Sequence, residues 1–188
     1  MAVSVLDRMR SERGHFVFES GLHGDLWLDL DDFFARPDRV TPLLDDLAER
    51  LRPIGADVVV GPCTGGALVA YGVAERLGLR FVGAERVETP ADGVGYRLAA
   101  SRDLRGRGAV VVDDAINAGS ATGATLRALA EHGVRPVGIA AFLVLGGGAA
   151  RMAERVGVPL VALAEETIST WPPQDCPLCA DRCPVTRQ

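Results

Sequence analysis

Lysine is absent from this sequence: all 20 basic residues among its 188 are arginines. Without a lysine amine the chain has no Schiff-base nucleophile and no lysine general base, so a phosphate site must be built from guanidinium groups or backbone donors. The formal net charge of -5 and the pI near 5.2 give no electrostatic reason to expect nucleic acid or an anionic membrane as a partner. A small anionic substrate needs only local positive charge.

Long apolar runs are also missing. The sequence contains no stretch of about 18 consecutive apolar residues, as a membrane-spanning helix requires, and its first residues lack the apolar core of a signal sequence. We therefore expect a cytoplasmic protein, in which the four cysteines need not form disulfides. The 48% hydrophobic content suits one α/β domain that buries its core without disulfides or a structural metal.

Helix and strand patterns alternate along most of the chain. Residues 1–36 are predicted to form a short helix (2–13) and a hood of paired strands around a Ser20-Gly21 turn. In residues 37–168, apolar strands alternate with helices, which predicts a doubly wound, mostly parallel sheet with helices on both faces. Residues 169–188, rich in proline and cysteine, are expected to be a tail of the same single domain.

Two adjacent acids, Asp113 and Asp114, end a predicted apolar strand and precede a loop of small residues that opens a helix. Ligands bind at this edge of a parallel sheet, and loop amides with the positive end of a helix dipole suit a phosphate. Gly119 lets the backbone approach closely, and Ser120 adds a hydroxyl. Because two carboxylates would repel a phosphate, they should address hydroxyls or a cation, so a ribose diol with magnesium is the simplest ligand. A phosphoacceptor domain is the alternative.

This order of residues resembles the 5-phosphoribosyl-1-pyrophosphate (PRPP) motif of type I phosphoribosyltransferases. The resemblance implies that Asp113 and Asp114 hold the ribose hydroxyls, and that Mg²⁺ is held mainly by substrate and water, with no direct protein ligand. The implied residues around the phosphate and ribose are Ala115, Ile116, Asn117, Ala118, Gly119, Ser120 and Ala121. The segment GPCTGG resembles the pyrophosphate loop of the family, and its implied residues are Pro62, Cys63, Thr64, Gly65 and Gly66.

The hood sequence FVFESGLHGDLWLDLDDFF resembles that of the orotate branch of the family. The resemblance implies a base site formed by Trp27, Phe33, Phe34 and His23, with simple packing of the aromatic rings as the alternative. It also implies that a base nitrogen displaces pyrophosphate from PRPP, that orotate is the base, and that the protein is a homodimer whose mobile loop closes over the partner subunit's site.

The segment 84–95 combines glycines, a proline and charges without helical or strand periodicity, and predicts an exposed mobile loop. Orotate enzymes carry two lysines and a histidine in this loop, whereas only Arg86 and Gly93 match here. Arg86 therefore joins Asp113 and Asp114 as an expected catalytic residue, and Arg97 or Arg102 is a candidate replacement for the missing cations.

The sequence differs from orotate enzymes at a second place, at the end of the predicted strand that finishes at Leu145. Leu145 and Gly146 stand where orotate enzymes place Asp-Arg, and that arginine grips the orotate carboxylate. Loss of such cationic contacts lowers rates by orders of magnitude. Two alternatives therefore stay open, a weakly catalytic regulatory protein that binds PRPP and a transferase for a different base.

Three cysteines, Cys176, Cys179 and Cys183, lie close together in the tail segment DCPLCADRCP. Their spacing resembles a zinc knuckle, but no fourth ligand is nearby and Cys63 is distant in sequence. A metal site and a surface tail of reduced thiols are both compatible with this pattern.

Overall fold

The computed structural model describes residues 5–9, 11–18, 21–89, 93–99 and 102–187. Its strands are β1 (Ser11–Val17), β2 (His23–Leu28), β3 (Val58–Pro62), β4 (Arg80–Thr89), β5 (Gly93–Leu98), β6 (Gly108–Ile116), β7 (Arg135–Leu145), β8 (Leu160–Glu166), β9 (Thr170–Trp171) and β10 (Thr186–Arg187). Its α-helices are α1 (Val5–Arg8), α2 (Leu30–Phe34), α3 (Pro37–Leu51), α4 (Gly65–Leu77), α5 (Ser120–Glu131), α6 (Gly148–Val156) and α7 (Pro177–Ala180). Short 3₁₀ turns cover Arg52–Ile54 and Pro173–Asp175.

The central sheet has six strands in the order β5-β4-β3-β6-β7-β8. All neighbours pair in parallel except β4 and β5, which are antiparallel. The chain order of β3, β4 and β6 leaves β3 between the other two, so crossover connections are required and helices cover the sheet. The predicted mostly parallel, doubly wound sheet is therefore confirmed.

Side chains of β6 alternate between two core layers, as the period of a strand requires. Val110 and Val112 pack into the layer that contains α3 and α4, whereas Ala109 and Val111 pack into the layer that contains α5 and α6. Both faces of the strand are therefore buried, which explains its continuous apolar sequence.

A second, four-stranded sheet forms the hood, in the order β10-β1-β2-β9. The predicted hood strands pair antiparallel as β1 and β2, with a register shift between Arg13 and Phe16. Both edges of this sheet come from the tail, because Trp171 of β9 pairs with His23 and Thr186 of β10 pairs with Phe16. The tail thus completes the hood.

Two predicted elements differ from the structure. The N-terminal helix covers Val5–Arg8, and the chain is already in β1 at Ser11, so the prediction of a helix to residue 13 was wrong at its end. The segment 84–95 was predicted to be an irregular loop, but β4 and β5 form a hairpin in which Ala84 pairs with Leu98 and Thr89 with Gly93. Residues 90–92 of that segment lie outside the described residues.

No helix within the described residues is both long and apolar enough to cross a membrane.

Candidate active site

Asp113 and Asp114 lie near the carboxyl end of β6 and are only 4% and 7% exposed. Asp113 Oδ2 accepts a hydrogen bond from the Thr122 hydroxyl at 3.1 Å, and Asp113 Oδ1 accepts one from the Asp114 N–H at 3.1 Å. Asp114 Oδ1 accepts one from the Ala115 N–H at 2.8 Å. Local backbone and α5 therefore fix the orientation of both carboxylates before any ligand arrives.

The electrostatic environment of Asp113 disfavours its charge. Burial raises the pKa of Asp113 well above its ordinary value, and the negative charge of Asp114 raises it further, while the Thr122 hydroxyl acts in the opposite direction. A buried carboxylate beside a second one is stabilised by hydroxyl donors or by a cation. The pair therefore fits a sugar diol accompanied by a metal ion.

Gly65 and Gly66, at the start of α4, pack directly against this acid pair. A β-carbon on Gly66 would overlap Asp113 Oδ1, and one on Gly65 would overlap Asp114 Oδ2. The first amides of a helix lack intrahelical acceptors, and they carry the positive end of the helix dipole. The GPCTGG segment and the acid pair, which are far apart in sequence, are thus two sides of one site.

The other residues of the GPCTGG segment are already engaged. The Cys63 N–H donates to the Ala84 carbonyl at 2.7 Å, and the Thr64 N–H donates to the Pro62 carbonyl at 2.7 Å. Burial and the nearby carboxylate of Glu85 raise the pKa of the Cys63 thiol. An anion bound by this segment would therefore contact the first turn of α4 rather than the backbone amides of Cys63 and Thr64.

The loop after β6 is shorter than the sequence suggested. β6 continues through Ala115 and Ile116, and the Ile116 side chain is 1% exposed in the core. The loop proper covers residues 117–119, and α5 begins at Ser120. Gly119 has φ 80°, a left-handed conformation that favours glycine, and a β-carbon there would lie 2.5 Å from the Met152 methyl. The backbone can therefore turn sharply between β6 and α5.

This loop separates two cavities. The first, called here the arginine cavity, has a volume of about 590 Å³ and is lined by Arg86, Arg127 and Arg155, among other residues. The second, the acid cavity, has a volume of about 430 Å³ and is bounded by Asp113 and by the hood. Residues 118–121 line both cavities. A ligand phosphate at the loop would therefore have positive charge on one side and the acid pair on the other.

Arg86 and Arg97 point to opposite faces of the β4–β5 hairpin. Arg86 pairs in register with Tyr96, and both line the arginine cavity. Arg97 pairs with Glu85, and its guanidinium contacts that carboxylate at 2.7 Å on an exposed surface. Because neighbouring residues of a strand alternate between faces, the structure brings Arg86 to the site but not Arg97. The remaining loop candidate, Gly93, is the first residue of β5.

The residues of the predicted base site lie in different surroundings. Phe33 is fully buried and packs edge-on against Phe142, so its assignment to the base site was wrong. Phe34 is half-buried and lies close to the acid pair. A β-carbon on Gly65 would be 2.8 Å from Phe34 Cε2 and would also overlap Asp114 Oδ2, so the ring and the carboxylate are neighbours on either side of Gly65. Trp27 stands behind Phe18, with ring centroids 6.4 Å apart and an interplanar angle of 18°.

His23 was also predicted to contact the base, but the structure places its ring elsewhere. Its Nδ1 lies 2.8 Å from His15 Nε2 and 3.3 Å from the Cys179 thiol, in a group of four side chains between hood and tail. The hood residues that do line the acid cavity are Phe18 and Leu22, joined by Thr170 of the tail. Phe18 stands in the hood sequence just before the Ser20-Gly21 turn, a position that could have indicated it, whereas Thr170 is brought in only by tertiary pairing.

The turn after β7 packs against the loop of residues 117–119. Leu145 is buried and the Gly146 N–H donates to the Glu166 carbonyl at 2.9 Å. A β-carbon on Gly148 would lie 2.7 Å from the Asn117 carbonyl oxygen, so the absence of a side chain lets this turn pack beneath the loop. In this chain the Gly-rich turn has a packing role that its sequence did not reveal.

A parallel sheet with an acid pair and a glycine-containing loop at its carboxyl edge is the arrangement in which α/β proteins bind sugar phosphates and nucleotides. Residues 34–173 match the family described as the phosphoribosyl transferase domain. The chain belongs to that family, whose reaction class is pentosyl transfer, and the resemblance seen in the sequence is confirmed.

The relatives include several orotate phosphoribosyltransferases. The chain is 34% identical to orotate phosphoribosyltransferase 2 of Mesorhizobium japonicum, over 87% of this chain and 82% of that protein. It is 30% identical to the orotate phosphoribosyltransferase of Carboxydothermus hydrogenoformans, over 97% of this chain and 92% of that protein. The crystal structure of orotate phosphoribosyltransferase from Aeropyrum pernix superposes with a TM-score of 0.72 at 26% identity, covering 86% of this chain and 91% of the other.

Proposed function

We propose that this protein transfers the 5-phosphoribosyl group from PRPP to orotate and releases pyrophosphate, a step of pyrimidine nucleotide biosynthesis. One observation carries the proposal: the buried acid pair of β6 lies between the first turn of α4 and the first turn of α5. Two helix N-termini on either side of two carboxylates suit a sugar with a phosphate at each end. The named relatives support orotate as the base.

Each part of PRPP has a proposed partner in this arrangement. Asp113 and Asp114 accept hydrogen bonds from the ribose hydroxyls, and residues 117–121 surround the 5-phosphate. The amides of Gly65 and Gly66 face the pyrophosphate, and Arg86 adds positive charge. The C1–oxygen bond breaks with its electron pair leaving on pyrophosphate, and a base nitrogen forms the new bond to C1. Catalysis then rests on positioning and on electrostatic stabilisation of the separating charges.

Magnesium is part of this proposal, and the acid pair fits it. The raised pKa of Asp113 reflects burial and the charge of Asp114, and positive charge nearby relieves both penalties. When bound, the ion neutralises the leaving pyrophosphate. We propose that substrate oxygens and water supply most of its ligands, because Mg²⁺ keeps much of its water and binds readily to phosphates.

The acid cavity is the proposed place of the base. Phe18 and Leu22 offer apolar contacts to a flat ring, while Asn117 and Thr170 offer polar groups at the edge. Leu145 and Gly146 stand where orotate enzymes carry their carboxylate-binding arginine, and this departure keeps two rivals in view. These rivals are transfer to another base and PRPP binding without turnover.

A homodimer belongs to the same proposal. Leu68 and Tyr71 lie three residues apart on α4 and are 58% and 63% exposed, an unusual pair of large apolar side chains in water. Because α4 also begins at the acid pair, a second subunit covering this face would lie next to the active site. A cytoplasmic location is proposed with it, in keeping with four cysteines that form no disulfide.

Pyrophosphate release distinguishes the rivals. The protein is incubated with PRPP, Mg²⁺ and, in turn, orotate, uracil, adenine and hypoxanthine. The proposal predicts release with orotate and formation of the corresponding nucleotide. Release with a different base alone would support transfer to that base. Saturable PRPP binding with no release would support a protein that binds PRPP without turnover. Light scattering of the same sample tests the dimer, and an active monomer would contradict it.

A further inference from the structure

Four potential metal ligands meet between the hood and the tail. They are His15 on β1, His23 at the start of β2, Cys176, and Cys179 within α7, and one ligand atom of each lies within 4.8 Å of all the others. The two histidines and Cys176 are at most 8% exposed, while Cys179 is exposed. None of these four residues lines the arginine cavity or the acid cavity, so the group is separate from the proposed transfer site.

Four of the six distances between the ligand atoms of this group are close to those of a tetrahedral metal centre, and all six are within 4.8 Å. A zinc ion with bonds of about 2.0–2.1 Å to nitrogen and about 2.3 Å to sulfur has N···S edges of about 3.6 Å and an N···N edge of about 3.3 Å. His15 Nε2 lies 3.4 Å from Cys176 Sγ and 3.7 Å from Cys179 Sγ. His23 Nδ1 lies 3.3 Å from Cys179 Sγ and 2.8 Å from His15 Nε2. Of these four distances the nitrogen pair departs most from the tetrahedral value, and it must open by about half an ångström.

The hydrogen bonding of His15 also prepares it as a ligand. Its Nδ1 lies 3.0 Å from the Cys183 carbonyl oxygen, an atom that can only accept, so Nδ1 carries the proton and donates it. The other nitrogen, Nε2, is then left with a lone pair that points into the group of four. Histidine ligands of metals are commonly held by such a bond from the second nitrogen to a carbonyl or carboxylate.

We propose that His15, His23, Cys176 and Cys179 bind one Zn²⁺ ion as a structural site. Four protein ligands, two nitrogen and two sulfur, close the coordination sphere and match the preference of structural zinc. Each thiol loses its proton to solvent on binding, so the ion carries two thiolates and two neutral imidazoles. The third tail cysteine, Cys183, is not one of the four ligands. Its backbone carbonyl accepts the hydrogen bond from His15 Nδ1 that orients this ligand.

The ion would fasten the tail onto the hood and so shape the acid cavity. His23 pairs with Trp171 of β9, and its neighbour Leu22 lines that cavity together with Thr170. Strands of two residues such as β9 and β10 offer few hydrogen bonds of their own. Two ligands from the hood and two from the tail therefore hold together a sheet whose edges are otherwise weakly attached.

Metal content gives the first test, with matched controls in the same chain. Protein purified under reducing conditions with added zinc, then dialysed, should carry one Zn²⁺ per chain by elemental analysis. Cys183→Ser and His132→Ala should keep it, because the Cys183 thiol is outside the group and His132 bonds to the Ala128 carbonyl on α5. Cys179→Ser and His23→Ala should lose most of it. Equal zinc loss in Cys183→Ser and Cys179→Ser would overturn the proposal.

Cobalt keeps the test decisive if a ligand variant fails to fold. Metal-free, reduced wild-type protein titrated with Co²⁺ should develop the visible bands of tetrahedral cobalt and a thiolate charge-transfer band, saturating at one equivalent. Zinc should then displace the cobalt and abolish both signals. Absence of these bands, or a Cys176–Cys179 disulfide in protein kept under reductant, would contradict a zinc site and indicate a redox pair instead.

Discussion

Gly66 lies so close to Asp113 that a β-carbon at position 66 would overlap the carboxylate oxygen Oδ1. The start of α4 and the end of β6 therefore meet with no side chain between them. This contact joins the segment proposed for pyrophosphate to the acid proposed for ribose, although 47 positions separate the two residues in the chain.

Replacing Gly66 by alanine should disturb the site more than the fold. The new methyl group must displace Asp113 or the α4 backbone, and such overpacking costs about 1–3 kcal/mol. We expect Gly66→Ala to raise the KM for PRPP and to lower the unfolding temperature. Gly123→Ala is the matched helix control, because its β-carbon would make only ordinary contacts at 3.5 Å or more. It should be neutral or stabilising by up to about 1 kcal/mol. Equal unfolding temperatures for both variants would contradict this packing.

Removing the charge of Asp113 should stabilise the protein relative to wild type, and this gain should grow as the pH rises. Because the pKa of Asp113 is raised in the folded state, folding favours its protonated form. That stabilisation is complete below the unfolded pKa of about 3.9 and is lost as the pH rises through the folded pKa. Asn cannot lose a proton, so Asp113→Asn should gain stability over wild type at about pH 8 and little at about pH 4.

Thermal unfolding across this pH range checks the expectation, with Asp38→Asn as control. Asp38 is exposed in the first turn of α3, where its charge favours the helix. That variant should lose rather than gain stability at neutral pH. A pH-independent difference between wild type and Asp113→Asn would show that Asp113 does not bear this electrostatic penalty.

The arginine cavity predicts a different role for Arg86. Its side chain is on the cavity face of the hairpin, beside residues 118–121. Loss of this charge should lower kcat/KM about 10²-fold if it stabilises the leaving pyrophosphate. Arg86→Gln is compared with Arg107→Gln. Arg107 is an exposed arginine just before β6, at the amino ends of the parallel strands and therefore on the side of the sheet away from the acid pair. Steady-state kinetics that show no difference between these variants would remove Arg86 from the proposed machinery.

The acid cavity predicts that Phe18 acts on the base rather than on PRPP. Phe18 lines the cavity and stacks against Trp27, so its ring is fixed in place. Phe18→Ala should raise the KM for the base about tenfold, the size expected for a lost aromatic contact and its buried area. The KM for PRPP should change little, and Phe18→Tyr should restore base binding. A parallel rise in both KM values would instead indicate collapse of the hood.

Local sequence was sufficient to predict that the acid pair ends a buried strand just before a loop and a helix, although the loop is shorter than predicted. The apolar run of β6, the two acids and the small residues before α5 are contiguous, so their geometry follows from strand and helix rules alone. Phe33 and Phe34 show the limit of this reasoning. Neighbouring residues on a short helix point about 100° apart, so only the position of α2 on the sheet decides which ring is buried.

Two further features depended on pairing that the sequence does not display. The β4–β5 hairpin contains charges and glycines that read as a loop, but its backbone hydrogen bonds at the edge of the sheet make it a strand pair. The His15–Cys176 contact joins residues 161 positions apart, and it forms only because β9, α7 and β10 fold back over the hood. The spacing of the cysteines alone could not indicate that His15 and His23 join Cys176 and Cys179 in one group.

Calorimetric titration with PRPP at millimolar Mg²⁺ addresses the acid pair most directly, because it needs neither a base nor turnover. Wild-type protein should give a saturable isotherm with one site per chain. Asp113→Asn combined with Asp114→Asn should weaken binding by about 10-fold or more, since hydrogen bonds to charged groups contribute about 1.5–3 kcal/mol. An unchanged affinity in this folded double variant, or no heat with wild-type protein, would contradict a ribose-binding role for the pair.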